Sequence, residues 1–86
     1  MPIISVFFGI SIKMFFQDHL PPHFHAEYND FEAIISINQI SVINGKLPKR
    51  VLSLVFEWAA IHQAELISDW DLAYNREPLN KIGPLD

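Results

Sequence analysis

Apolar and polar positions alternate with a period of two through most of the first half of the chain, then switch to a helical period. Pro2 to Phe8 is an apolar, β-branched run interrupted by Gly9, which predicts a short strand and a bend. From Ile10 to Phe16 the alternation is regular: Ile10, Ile12, Met14 and Phe16 share one face, while Ser11, Lys13 and Phe15 share the other. Gln17 to Pro22 reads as a loop, because its consecutive prolines cannot donate to a sheet ladder. His23 to Tyr28 alternates again, with His23, His25 and Glu27 on one face and Phe24, Ala26 and Tyr28 on the other. Asn29-Asp30 predicts a two-residue hairpin turn, and Phe31 to Ile37 the next strand, with Phe31, Ala33, Ile35 and Ile37 on one face. Asn38-Gln39 predicts a further turn, and Ser41 to Asn44 a short last strand closed by Gly45.

Pro48 suits the first turn of a helix, where its missing N–H is not needed, and the helical pattern runs from there to about Asn75. Its polar stripe is narrow: Arg50, Ser53, Glu57, Ser68 and Asp71, continued by Ala60 and Ala64. The apolar remainder is wider than the roughly 100° that one sheet face requires. Either the helix is wrapped on two sides or one side meets another chain. Trp58 and Trp70 read as anchors against the sheet, His62 as a packing residue, and Glu57, Glu65 and Asp69 as a solvated face. Beyond the helix, Leu79, Ile82 and Leu85 punctuate a Pro-rich tail that can pack back on the domain. The expected fold is therefore α+β: an antiparallel meander of four or five strands with one long C-terminal helix packed on one face, residues 1–86 forming a single domain.

Composition narrows the function classes. Half of the 86 residues are hydrophobic, including seven Phe and two Trp, so a packed core is expected, with apolar surface left over for a protein partner or a homo-oligomer contact through the helix. Six Lys and Arg against ten Asp and Glu, a net charge of −4, disfavour direct binding of nucleic acid through a basic face. The absence of cysteine removes disulfide and thiol chemistry. With no signal-peptide pattern and no apolar run of membrane-spanning length, the expected location is cytoplasmic.

The chemistry-bearing residues concentrate between Asp18 and Tyr28, which holds three of the four histidines. His23 and His25, two apart on a strand, point their rings the same way and can reach one ion. His19 offers a third nitrogen, and Asp18 or Glu27 an oxygen, a set suited to zinc or another first-row divalent metal. The same histidines can instead act as general base and general acid in phosphodiester cleavage, with Lys13 or Lys49 stabilising a phosphate. A purely structural role is the third alternative: His-Phe-His as half-buried packing beside a Pro-Pro turn, with Asp18 accepting backbone hydrogen bonds.

The opening Met-Pro-x-Ile-Ser, the following Phe-x-Gly-Ile, and above all Asp-His-x-Pro-Pro-His-Phe-His-Ala from Asp18 to Ala26 resemble a family of small bacterial proteins. Leu47 to Arg50, the Glu57-Trp58 pair and Pro78 to Leu85 extend the likeness over nearly the whole chain. The family is catalogued as a domain of unknown function, number forty-one-sixty. The resemblance marks Asp18 to Glu27 as the hallmark and brings no activity with it. It implies a small interaction or regulatory protein, one half of a toxin–antitoxin-type pair. The alternatives are a ribonuclease or phosphodiesterase using His19, His23 and His25, with Asp18 or Glu27 orienting a ring, and a small metal-binding protein. One departure is visible: Asn38-Gln39-Ile40 lacks the glycine expected near the last hairpin.

Overall fold

Each alternating segment of the sequence becomes a strand, because alternation lets one face bury its apolar side chains while the other stays polar. The computed structural model describes residues 2–86. It contains β1 (Ile3–Phe7), β2 (Ile10–Lys13), β3 (His23–Tyr28), β4 (Phe31–Ser36) and β5 (Ser41–Lys46), then α1 (Lys49–Ile61) and α2 (Gln63–Tyr74). The strands form one antiparallel sheet in the order β1-β2-β3-β4-β5. The fold class is α+β, as expected. The inward positions are those the alternation selects: Ile10, Ile12, Met14, Phe24, Ala26, Ala33, Ile35 and Ile37 are all buried. Phe16 is a correction. β2 ends at Lys13 and the chain turns away, so Phe16 lies outside the strand and is exposed.

Two hairpins use two-residue turns. In the first, Phe7 pairs with Ile10 around Phe8 and Gly9, both at positive φ (50° and 76°), as a primed turn demands. In the second, Tyr28 pairs with Phe31 around Asn29-Asp30. The β4–β5 connection is longer, four residues from Ile37 to Ile40, with Ile40 at φ 50° where a glycine would be at ease. Ile40 packs against the core, which offsets the strain. β5 extends past its expected end, through Gly45 at φ 77°, where a Cβ would collide with the Glu32 carbonyl on β4.

The expected single helix is two helices. No Gly or Pro lies between Pro48 and Pro78, so the break at His62 has no local breaker. His62 sits at φ −110°, ψ 22°, outside helical geometry, although its N–H still reaches the Trp58 carbonyl at 3.1 Å. Beside it, the Gln63 amide donates to the carbonyls of Ile37 (2.8 Å) and Asn38 (3.1 Å) at the end of β4. These two side-chain bonds tie the joint to the start of the β4–β5 connection.

Trp58 is the centre of the core and fully buried. Its ring meets Phe7 (5.3 Å between centroids) and, edge-on, Phe24 (5.8 Å), and its Nε1–H donates to the Gly83 carbonyl at 2.8 Å. That bond brings in the tail. Ile82 is buried and its N–H reaches the Ile4 carbonyl at 2.8 Å, at the point where β1 bulges between Ile3 and Ser5. Leu79 and Leu85 pack against the core as well. The second wrapping that the wide apolar stripe requires is thus supplied by the chain's own tail. On the helices only Ile61 and Tyr74 remain as exposed large hydrophobics.

Asp69 corrects the expectation of a solvated face: it is 1% exposed. Its Oδ1 accepts the Asn80 N–H at 3.0 Å, and its Oδ2 has no partner. Burial raises its pKa above the usual carboxylate value, helped by the charge of Glu65 and opposed by the Asn80 bond. A carboxyl with a raised folded-state pKa binds its proton more tightly when folded, so stability falls as pH rises from the unfolded value through the folded one. Asp69→Asn keeps an acceptor for Asn80 and removes the charge. Its melting temperature should exceed the parent's at pH 7, and the gap should close as pH drops into the ordinary carboxylate range, as read by calorimetry across pH.

Candidate functional site

The two prolines end the loop, and His23 opens β3 with its ring on the outer face of the sheet. One pleat later His25 points the same way. The ring centroids of His23 and His25 are 5.4 Å apart. The loop folds back so that Asp18 reaches both: its Oδ2 lies 2.9 Å from His23 Nε2 and 3.3 Å from His25 Nε2. Asp18 is fixed by the His19 backbone N–H, which donates to Oδ1 at 2.8 Å. Partial burial works to raise the Asp18 pKa. The His19 N–H, the bonds from His23 and His25 and the charge of His23 outweigh it and hold the carboxyl below its usual value.

The far nitrogens are also engaged. His23 Nδ1 lies 2.8 Å from the Pro21 carbonyl oxygen, which can only accept, so Nδ1 carries a proton and Nε2 is the atom turned toward Asp18. His25 Nδ1 lies 3.2 Å from Glu32 Oε2. Both rings are wedged by aromatics: Trp70 at 5.2 Å from His23, and Phe15 edge-on at 4.5 Å from His25. Donor atoms of Asp18, His23 and His25 all lie within 4.8 Å of one another. With His23 Nδ1 protonated, two kinds of charge balance fit the convergent atoms: a proton on each Nε2, or a single cation among the three.

Of the five residues selected from sequence, three converge. His19 is exposed; it contributes its backbone N–H to Asp18, and its side chain lines the same cleft. Glu27 accepts from Lys13 Nζ at 2.8 Å instead. The cleft, about 240 Å³, is walled by Leu20, Pro21, Ile34, Ile43 and Asn44, with no Lys or Arg among its lining residues. Lys13 is committed to Glu27, and Lys49 is not a lining residue.

Two contacts were not read from the sequence. Glu32 was legible in principle: a two-residue turn at Asn29-Asp30 sets Glu27 opposite Glu32 and His25 opposite Ile34, which makes Glu32 a diagonal neighbour of His25 on the polar face. Trp70 lies far along the chain on α2, and the helical pattern marks it only as a core residue.

No helix among the described residues is long and apolar enough to cross a membrane. No curated protein and no solved structure matches the chain. The family described as "Domain of unknown function (DUF4160)" matches residues 9–71, a span that includes the entire Asp18–His25 cluster and both helices as far as Asp71. The chain belongs to the DUF4160 family.

Proposed function

We propose that this is a divalent-metal protein whose ion is held by Asp18 Oδ2, His23 Nε2 and His25 Nε2. The observation that carries the proposal is the way the far nitrogens are held. His23 Nδ1 is tied to a backbone carbonyl and His25 Nδ1 to a carboxylate, the arrangement that fixes the ring orientation of metal-ligating histidines and raises their basicity. An ion about 2.0–2.2 Å from each donor sets donor pairs roughly 3.0–3.5 Å apart. The Asp18 separations of 2.9 and 3.3 Å already approach that spacing. Two histidines and one carboxylate on an open cleft leave coordination positions for water or substrate. That donor set suits zinc or ferrous iron, and the ion would act there as a Lewis acid. Phosphodiester cleavage by the histidines alone is supported less well, because the cleft offers no Lys or Arg to a phosphate.

Tag-free protein stripped with chelator should bind one zinc or cobalt ion per chain, read by calorimetry and by the visible spectrum of the cobalt form. Asp18→Asn and His25→Gln should each weaken binding by about a hundredfold or more, and Glu32→Gln by roughly 10–100-fold, with circular dichroism unchanged. Absence of stoichiometric binding at millimolar metal would refute the assignment.

A second reading, action through a protein partner as in a toxin–antitoxin pair, is favoured by β5. This strand ends the sheet, five of its six residues are exposed, and Val42 and Ile43 are among the exposed apolar side chains. An uncovered edge strand is a template for strand addition. If β5 is the contact, Val42→Pro should abolish association with the partner, or with a second copy, in sedimentation velocity. Unchanged association in a folded variant would remove β5 from consideration.

A further inference from the structure

Phe8 has no folding reason to be where it is. It occupies the first position of the β1–β2 turn at φ 50°, a left-handed conformation that suits Asn, Asp or Gly and strains an aromatic residue. Ile40 is strained in the same way, and its side chain is packed against the core. Phe8 gains no such burial: it is 58% exposed, and its ring meets only the edge of Phe7 at 6.4 Å among the aromatic contacts of the described residues. Strain that packing does not offset is a feature of ligand sites.

What the ring does instead is wall a cavity of about 230 Å³. The other walls are Tyr28, Val51, Leu54 and Arg50. Gly9 sits close against Tyr28: a Cβ added there would stand 3.6 Å from the Tyr28 ring. Arg50 has no hydrogen-bond or ion-pair partner among the described residues. Two aromatic rings, two aliphatic side chains and one uncommitted guanidinium therefore line a space smaller than the roughly 300 Å³ at which drug-sized pockets begin.

We infer that this cavity binds a compact monocyclic aromatic carboxylate, its ring between Phe8 and Tyr28 over Val51 and Leu54, and its carboxylate paired with Arg50. A planar guanidinium engages a carboxylate through two parallel hydrogen bonds, and aromatic faces accept an offset ring. The site shares no residue with the Asp18–His23–His25 cluster, so it stands or falls independently of metal binding.

The probe is phenylacetate, titrated into the labelled protein and followed by two-dimensional NMR. Saturable shifts at Phe8, Tyr28, Val51 and Leu54 are expected, with Kd on the order of 1 mM for so small a ligand. The neutral isostere phenylacetamide, and phenylacetate with Arg50→Gln, should each bind about tenfold more weakly. Phe8→Asn should abolish the shifts while leaving the melting temperature equal or higher, because asparagine suits the turn. Non-saturating shifts, equal binding of acid and amide, or a Phe8→Asn protein less stable than the parent would each overturn the assignment, the last by showing that Phe8 is kept for folding.

Discussion

The indole of Trp58 is the contact on which the architecture depends. It stands on α1, packs on Phe7 of β1 and Phe24 of β3, and donates its one polar hydrogen to the carbonyl of Gly83 in the tail. A small domain has little core to spare, and here one side chain joins helix, sheet and tail at once. A buried indole N–H needs an acceptor. Gly83 supplies it from a segment with no regular structure of its own. The tail is therefore part of the core: Ile82 is buried between β1 and the helices, and the bulge in β1 lies beside the carbonyl that Ile82 meets.

That arrangement explains which features could be read from sequence. Period-two alternation is a local property, so the strands, their inward residues and the shared face of His23 and His25 follow from it. The wide apolar stripe of the helical segment left two readings open, a second wrapping or a contact with another chain, and the tail packs against the core beside it. The burial of Asp69 escaped because it arises from Asn80, a residue of that tail, and not from any period within the helix. The break at His62 escaped for a related reason: it coincides with bonds from Gln63 to carbonyls of the β4–β5 connection, and no glycine or proline announces it. The loop from Gln17 to Pro22 was legible as a loop, but its return path, which brings Asp18 onto both rings, depends on tertiary contacts such as the Gln17 N–H to the Ala73 carbonyl at 3.1 Å.

On the outer face of the sheet a polar cluster is held from several sides. Asp18 holds two rings, Glu32 and the Pro21 carbonyl hold their far sides, and Trp70 and Phe15 wedge them. Each imidazole is thus bounded at both ring nitrogens and by one aromatic neighbour.

On β3 the residues of the two faces are interleaved one by one: His23 and His25 outward, Phe24 and Ala26 inward. A slip of one residue in the pairing with β4 would carry both histidines into the apolar layer and bring the phenylalanine out beside Asp18. Chemistry and packing therefore cannot drift apart in this strand. A shift that spoiled the core would erase the cluster in the same step, and an intact cluster reports that the hairpin has closed in its native register.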